Sequence, residues 1–153
     1  MPQHVETKVR GRWLATCLAL AGIATLEAAD VQVQVDEFPR GTLYGQLHAA
    51  DAADWDAPLR QSVGEGTGLV FSDVPPGRYA VQVFVDVNGD GQLDISPRGL
   101  PREPVGFSSN PRLFKGKPTP EGCAFEHGEE NSLVEIRLRG RRKGSGATAE
   151  PDD

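Results

Sequence analysis

Residues 79–85 read Tyr-Ala-Val-Gln-Val-Phe-Val, and this run decides the fold class. Its apolar residues recur at every second position, which is the period of a β-strand. One face carries four of its residues: Tyr79, Val81, Val83 and Val85. Ala80 and Phe84 bracket Gln82 on the other face, so both faces are largely apolar. The run therefore predicts a central strand that is covered on both sides for most of its length.

The segments on either side show the same period in shorter runs. They predict strands at residues 31–35, 42–49, 59–63, 69–71 and 133–138, of which 59–63 is a short edge strand. Residues 96–120 are rich in proline and glycine and show no clear period, so they predict a long irregular loop. Several short strands separated by turns predict an all-β fold, an antiparallel β-sandwich.

The first 29 residues have the pattern of a secretory signal peptide. Lys8, Arg10 and Arg12 form a positive start, and residues 14–23 form an apolar stretch that is too short to span a membrane. Small residues follow and offer cleavage sites near residue 24 or after residue 29. We therefore expect export to the periplasm or the extracellular space, and no membrane span in the mature chain. Two alternatives are a buried N-terminal helix and a lipid anchor on Cys17.

Charge and cysteine content limit the remaining chain. The formal net charge of the 153-residue chain is −6, and loss of residues 1–29 makes it one unit more negative. This balance argues against nucleic-acid binding, which needs a basic surface. We predict one domain at residues 30–139 and a disordered tail at residues 140–153. Only Cys123 lies beyond the signal segment, so the mature chain has no internal disulfide.

Residues 86–94, which follow the central strand, read Asp-Val-Asn-Gly-Asp-Gly-Gln-Leu-Asp. Four oxygen-bearing residues stand at positions 1, 3, 5 and 9 of this loop: Asp86, Asn88, Asp90 and Asp94. Gly91 stands at position 6, where a sharp turn is needed. Because calcium takes six to eight oxygen ligands, this spacing predicts a calcium loop.

The loop is not that of an EF-hand, because position 12 is Pro97 and a strand rather than a helix leads into it. Glu103 is added as a late ligand, since residues 99–103 can fold back over the loop. The predicted calcium ligands are six: Asp86, Asn88, Asp90, Gln92, Asp94 and Glu103. The alternative is a plain Asx-rich turn without an ion, because Asn-Gly and Asp-Gly are the strongest turn dipeptides.

Four stretches follow one another along the chain: residues 74–81 (VPPGRYAV), 85–94 (VDVNGDGQLD), 99–103 (GLPRE) and 106–108 (GFS). In this order they resemble the DUF2141 family, a domain of unknown function in exported bacterial proteins. The resemblance covers residues 30–139. It departs from the family pattern at Val74, where leucine is commoner, and at Val87, where the family is usually polar. The resemblance implies a prealbumin-like or carboxypeptidase-regulatory-like β-sandwich and carries no reaction with it.

Other reactive side chains are weaker candidates. Cys123, Glu126 and His127 lie close in sequence but fall short of a four-ligand metal site, so we predict a packed thiol beside a surface histidine. His48 and His127 have no recognisable catalytic partner, and the chain has no G-x-S-x-G elbow, so no catalytic residue is assigned. Three aromatic residues offer either a platform for sugars or peptides or, more commonly, partial burial in the core: Trp55, Tyr44 and Phe107.

Three functions fit these observations. The main prediction is a non-enzymatic exported β-sandwich module, stabilised by calcium, that binds an envelope or extracellular partner. The second is a metal-dependent hydrolase of glycans or peptides, which needs His48 or His127 beside residues 86–94, here called the acidic loop. The third is a structural or adhesive domain whose exposed sheet edge pairs with a partner's strand.

Overall fold

The computed structural model describes residues 27–36, 40–113 and 116–140. The predicted signal peptide therefore lies outside the described residues up to residue 26, and Cys17 lies outside them too. The predicted tail beyond residue 140 is likewise outside the described part of the chain.

The described chain folds into two β-sheets that share one core. Its strands are β1 (Ala29–Val35), β2 (Thr42–Ala49), β3 (Arg60–Gly64), β4 (Gly68–Val74), β5 (Gly77–Asp86), β6 (Val105–Phe107), β7 (Phe125–His127) and β8 (Ser132–Ile136), with a 3-10 turn at Glu121–Cys123 before β7. One sheet has the order β4-β1-β8. The other has the order β3-β2-β5-β6, with β7 paired to the start of β5. The all-β sandwich prediction is confirmed.

Alternation along the strands builds the core between the sheets. In β1, Val31, Val33 and Val35 are buried while Gln32 and Gln34 are exposed. The core cluster draws its side chains from both sheets: Val31, Val33, Val35, Leu43, Leu47, Leu69, Phe71, Val74, Val81, Val83, Val85, Val134 and Ile136. Burying one such aliphatic side chain stabilises the fold by about 1.5–3 kcal/mol.

The other face of the five-stranded sheet is covered by irregular chain. Ala80 and Phe84 of β5 lie in a second buried cluster with Trp55 and Phe107, whose ring centroids are 5.2 Å apart. Trp55 Nε1 donates a hydrogen bond to Pro118 O at 2.7 Å, which ties the loop before β3 to the segment before β7. This cover buries β5 on both faces and confirms it as a central strand.

Several details differ from the sequence prediction. The short strand β7 was not predicted, and β8 ends at Ile136 rather than at residue 138. β1 and β8 pair in parallel, so the sheets are not wholly antiparallel. Strand alternation is the same in both pairings, so the sequence period cannot reveal this difference. Residues 96–120 are not wholly irregular, because they contain β6, which pairs with β5. β4 continues to Val74, beyond the predicted end at residue 71.

Gly106 explains why β6 escaped prediction. A three-residue strand with glycine in its middle has no visible hydrophobic period. The glycine is required because a Cβ at this position would overlap the Ile136 side chain and lie 3.0 Å from Arg137 O. The backbone of β6 therefore packs closely against the end of β8 in the opposite sheet.

Hydrogen bonds from side chains and from the backbone cover the edges of the two sheets. Arg60 and Ser62 of β3 donate hydrogen bonds to three main-chain oxygens of β4: Val70 O, Ser72 O and Asp73 O. On the opposite side of the sandwich, Val105 of β6 and Arg139 exchange two backbone hydrogen bonds, at 2.8 and 2.7 Å. These contacts join the two sheets along both sides, as in a flattened barrel.

Candidate cation site at the end of strand β5

Asp86, the last residue of β5, forms the base of the acidic loop. It is 2% exposed, and its carboxylate accepts hydrogen bonds from Gly89 N at 2.6 Å and Gly91 N at 2.7 Å. The two glycines have φ values of +81° and +75°, which L side chains rarely adopt. Strand pairing with Thr42 fixes the backbone of Asp86. The two glycines therefore let the loop backbone bend around a carboxylate that β5 holds in place.

Three further side chains of the loop converge. Asn88 Nδ2 lies 2.9 Å from Asp90 Oδ2 and 3.4 Å from Asp94 Oδ2. Asn88 Oδ1 accepts from Asp90 N at 3.1 Å, and Asp90 Oδ1 accepts from Gln92 N at 2.8 Å, which are Asx-type hydrogen bonds. The structure thus brings together Asn88, Asp90 and Asp94, through the same bonds that build an Asx-rich turn.

Glu103 holds the two ends of the loop. It is 4% exposed, and its carboxylate accepts from Val87 N at 2.8 Å and from Asp94 N at 3.2 Å. A backbone bond from Arg102 N to Asp94 O, at 2.8 Å, aligns this segment with the end of the loop. Residues 99–103 therefore fold back over the loop, as the sequence led us to expect.

Gln92 contributes differently from the other predicted ligands. Its backbone N–H bonds within the loop, and no hydrogen bond of its side chain is found in the described part of the chain. Among the described residues, no group of three or more His, Cys, Asp or Glu side chains stands close enough together to hold a metal ion. The carboxylates of the loop therefore lie near one another, but three of them do not surround a common position.

The loop concentrates negative charge. It contains the carboxylates of Asp86, Asp90 and Asp94, with Glu103 directly behind. None of the four forms an ion pair with a described basic side chain. The ion pair found among the described residues, Arg78–Glu126 at 2.9 Å, lies at the opposite end of β5. Carboxylates that lie close together repel one another, so the loop suits a cation and disfavours an anion.

The two described histidines lie far from the loop. His48 pairs with Ala80, which strand geometry places about 20 Å from Asp86. His127 pairs with Gly77, about 30 Å from Asp86. His127 is 3% exposed, so the prediction of a surface histidine is wrong. Its Nε2 donates to Val74 O at 3.0 Å and its Nδ1 accepts from Ser132 Oγ at 2.7 Å, which links the two sheets.

Cys123, Glu126 and His127 are not brought together as metal ligands. Cys123 is fully buried, and desolvation raises the pKa of its thiol to about 11. The thiol is therefore protonated and packed, as predicted. Glu126 points outward to Arg78.

Ser108 is a structural residue rather than a nucleophile. It is fully buried; its Oγ accepts from Val81 N at 2.9 Å and donates to Cys123 O at 2.5 Å. These bonds fasten β5 to the 3-10 turn. Within the GFS stretch, Gly106 permits close sheet contact, Phe107 packs on Trp55 and Ser108 holds the backbone.

The aromatic side chains pack inside the protein. Trp55 and Phe107 are 6% and 5% exposed, so they belong to the core and do not form an open platform. Tyr44 is half-buried and stacks on Phe84, with ring centroids 5.1 Å apart and an interplanar angle of 8°.

Sequence reasoning missed two buried polar side chains on this sheet face, His48 and Gln82. The available signal was Gln82 itself, the one polar residue in the apolar run 79–85. It also missed Asn110, which has a φ of +48°. The Asn110 side chain accepts from Arg137 N at 2.8 Å and donates to Glu135 O at 2.9 Å, which covers part of the outer edge of β8.

A family model described as "Uncharacterized protein conserved in bacteria (DUF2141)" matches residues 23–135. No curated protein and no solved structure gives a significant match to the chain. No helix within the described ranges is long and apolar enough to cross a membrane. The matched span includes the acidic loop, Glu103 and the GFS stretch.

Proposed function

The chain belongs to the DUF2141 family, and we propose that it is an exported, non-enzymatic β-sandwich module that binds calcium at residues 86–94 and contacts a partner in the envelope or outside the cell. The family supplies no reaction to carry over. The proposal therefore rests on the acidic loop and on the signal-like pattern of residues 1–29.

One observation carries the calcium proposal. Asp90 and Asp94 both approach a single atom, Asn88 Nδ2, at 2.9 and 3.4 Å. The oxygen and nitrogen of an asparagine amide are nearly interchangeable in shape, so a half-turn of the amide brings Oδ1 to that point. Side-chain oxygens of three residues, Asn88, Asp90 and Asp94, then lie close together and form part of a calcium coordination shell.

The half-turn has a cost and a gain. It breaks the 3.1 Å bond from Asp90 N to Asn88 Oδ1. Coordination of a divalent cation offsets that loss and also relieves repulsion among the carboxylates. Calcium suits a flexible loop of carboxylates better than magnesium, which demands near-ideal octahedral geometry and retains several waters.

A calcium ion in the loop would connect β5 to the segment that leads into β6. Asp86 belongs to β5, while Glu103 belongs to the segment that leads into β6. Through Val87 N and Asp94 N, Glu103 already joins that segment to the loop. An ion held within the loop therefore stabilises the junction of β5 with the proline-rich residues 96–104 that precede β6. A module without an internal disulfide gains rigidity from such a metal.

The hydrolase alternative requires a base beside the ion. Both described histidines lie about 20 Å or more from Asp86. His127 is also engaged by two hydrogen-bond partners. This placement favours the non-enzymatic module.

The adhesive alternative requires an open strand edge. Arg60 and Ser62 cover one side of the sandwich, and the exchange between Val105 and Arg139 closes the other. Asn110 covers part of the β8 edge. Strand addition would have to displace these contacts, so the observations favour a partner that binds the loops or the sheet faces.

Thermal melting with added calcium tests the ion. A ligand that binds only the folded state raises Tm, and 100-fold excess over Kd adds about 2.7 kcal/mol of stability. We expect Tm to rise with calcium in the native chain and not in Asp90→Ala. Asp51→Asn, which removes a carboxylate from another exposed loop, should retain the rise. No rise in the native chain would remove the calcium proposal.

Export is tested separately by mass spectrometry of the protein recovered from the periplasm or medium of a bacterial host. We expect a mature N-terminus between residues 25 and 30. Recovery of the uncleaved chain in the cytoplasm alone would contradict export, whatever the result with calcium.

A further inference from the structure

The covered face of the five-stranded sheet holds two buried side chains with unmet hydrogen-bonding atoms. His48 on β2 is 0% exposed and Gln82 on β5 is 4% exposed. Within the described part of the chain, His48 Nδ1, His48 Nε2 and Gln82 Oε1 have no hydrogen-bond partner. Buried polar atoms are almost always paired, so three bare atoms on one face need an explanation.

The two side chains are neighbours. His48 lies opposite Ala80, and Gln46 lies opposite Gln82, in the pairing of β2 with β5. His48 and Gln82 are therefore diagonal neighbours on the same face, about 7–8 Å apart between Cα atoms. One small bridging molecule can reach both.

Irregular chain forms the cover above them. The Trp55 ring meets the His48 ring edge-on, with centroids 4.9 Å apart, and packs on Phe107. The Lys117 ammonium lies 5.5 Å from the centroid of the Trp55 ring, and Trp55 Nε1 bonds to Pro118 O. Loops open locally more readily than core strands, so this cover offers a route for a small molecule.

The chemistry of the three atoms limits the ligand. Burial lowers the pKa of His48, Lys117 lowers it further and Asp54 opposes them, so the imidazole is neutral at pH 7. A neutral imidazole has one donor and one acceptor nitrogen. Together with Gln82 Oε1, these three unpaired atoms offer one donor and two acceptors. An anion supplies no donor, and a cation supplies no acceptor and faces Lys117. A hydroxyl group both donates and accepts.

We propose that His48 and Gln82 form a buried site beneath Trp55 for the hydroxyl groups of a small neutral molecule. Two sources share this chemistry: ordered water, and a small polyol or sugar whose apolar C–H groups pack on Trp55 and Phe107. The site is remote from the acidic loop and does not depend on calcium.

Substitution of Gln82 shows whether its Oε1 atom has a hydrogen-bond partner in the native protein. If a hydroxyl group pairs with Gln82, then Gln82→Leu leaves that group short of a partner and lowers Tm, by roughly 4 °C or more. If Oε1 is bare, the same change removes an unpaired polar atom and raises Tm. Gln46→Leu is the matched control, because Gln46 lies opposite Gln82 on the same face but is only half-buried. It should leave Tm within about 2 °C.

Nuclear magnetic resonance of the labelled native chain distinguishes the sources. We expect cross-relaxation between the His48 ring protons and either water, in polyol-free buffer, or glycerol or glucose on titration. Water alone identifies a hydration site. A saturable response to glycerol or glucose identifies a small-molecule site. Absence of all three contacts, or a higher Tm in Gln82→Leu, overturns the proposal.

Discussion

At the scale of single residues, close contacts explain residues in the stretches that resemble the DUF2141 pattern. Ser108 satisfies a buried N–H of β5, and Glu103 satisfies two N–H groups of the acidic loop. Gly106 leaves room for Ile136. Each role needs that residue type at that position, because the partner is main chain or a close-packed side chain. These residues therefore help to specify the fold.

His48 makes stability depend on pH. Its folded-state pKa is lowered from 6.5, chiefly by burial, so below that value the unfolded chain binds more protons. The stabilising effect of a neutral His48 is present above pH 6.5 and is lost as the pH falls. We expect the free energy of unfolding to fall between pH 7.5 and 5, with a slope from this group of at most about 1.4 kcal/mol per pH unit.

Urea denaturation at several pH values measures this dependence. His48→Phe removes the titrating group and keeps a flat aromatic ring beside Trp55. Its stability should change less steeply with pH than that of the native chain. Parallel curves for the two chains would show that His48 does not titrate as described.

At the scale of the elements, alternation in the sequence was sufficient for the longer strands, whose apolar residues recur over five or more positions. β1, β2 and β5 were predicted close to their observed bounds for this reason. β6 was missed because Gly106 interrupts its short run. The parallel pairing of β1 with β8 was missed because alternation is blind to strand direction.

The candidate site likewise has features that the sequence predicted and features that it did not. The spacing of residues 86–94 predicted a tight loop, and the segment 99–103 was expected to fold back over it with Glu103 as a late ligand. Two buried carboxylates, Asp86 at the start of the loop and Glu103 behind it, each accept two hydrogen bonds from the loop backbone. The His48 and Gln82 pair was not predictable, because it arises from strand register and from a cover formed by distant loops.

Glu103 fastens the acidic loop to the segment before β6. In Glu103→Gln the side chain keeps its size, but one acceptor oxygen becomes an NH2 group that cannot accept a hydrogen bond. We expect faster amide hydrogen exchange at Val87 or Asp94, by about fivefold or more for the loss of about 1 kcal/mol.

Glu121→Gln is the control for this experiment, since Glu121 is an exposed residue of the 3-10 turn. Its exchange rates at Val87 and Asp94 should equal those of the native chain. Unchanged exchange at both amides in Glu103→Gln would contradict the fastening role.

At the scale of the whole molecule, the sandwich resembles a flattened barrel with an acidic loop at one end. The contacts of Arg60 and Ser62 on one side and of Arg139 on the other leave few strand edges for aggregation or strand exchange. A negative net charge suits a protein that stays soluble and attracts cations. Within such a rigid frame, the acidic loop is the feature best placed to respond to an ion.

Isothermal titration calorimetry with calcium is the sharpest test of an ion site at residues 86–94. We expect one calcium per chain, with Kd on the order of 10⁻⁴–10⁻³ M as in extracellular calcium modules, because the loop lacks a bidentate glutamate at position 12. Binding should vanish in Asp90→Ala and persist in Asp51→Asn. No binding by the native chain at millimolar calcium, or unchanged binding by Asp90→Ala, would rule out a calcium site at this loop and leave residues 86–94 as an Asx-rich turn.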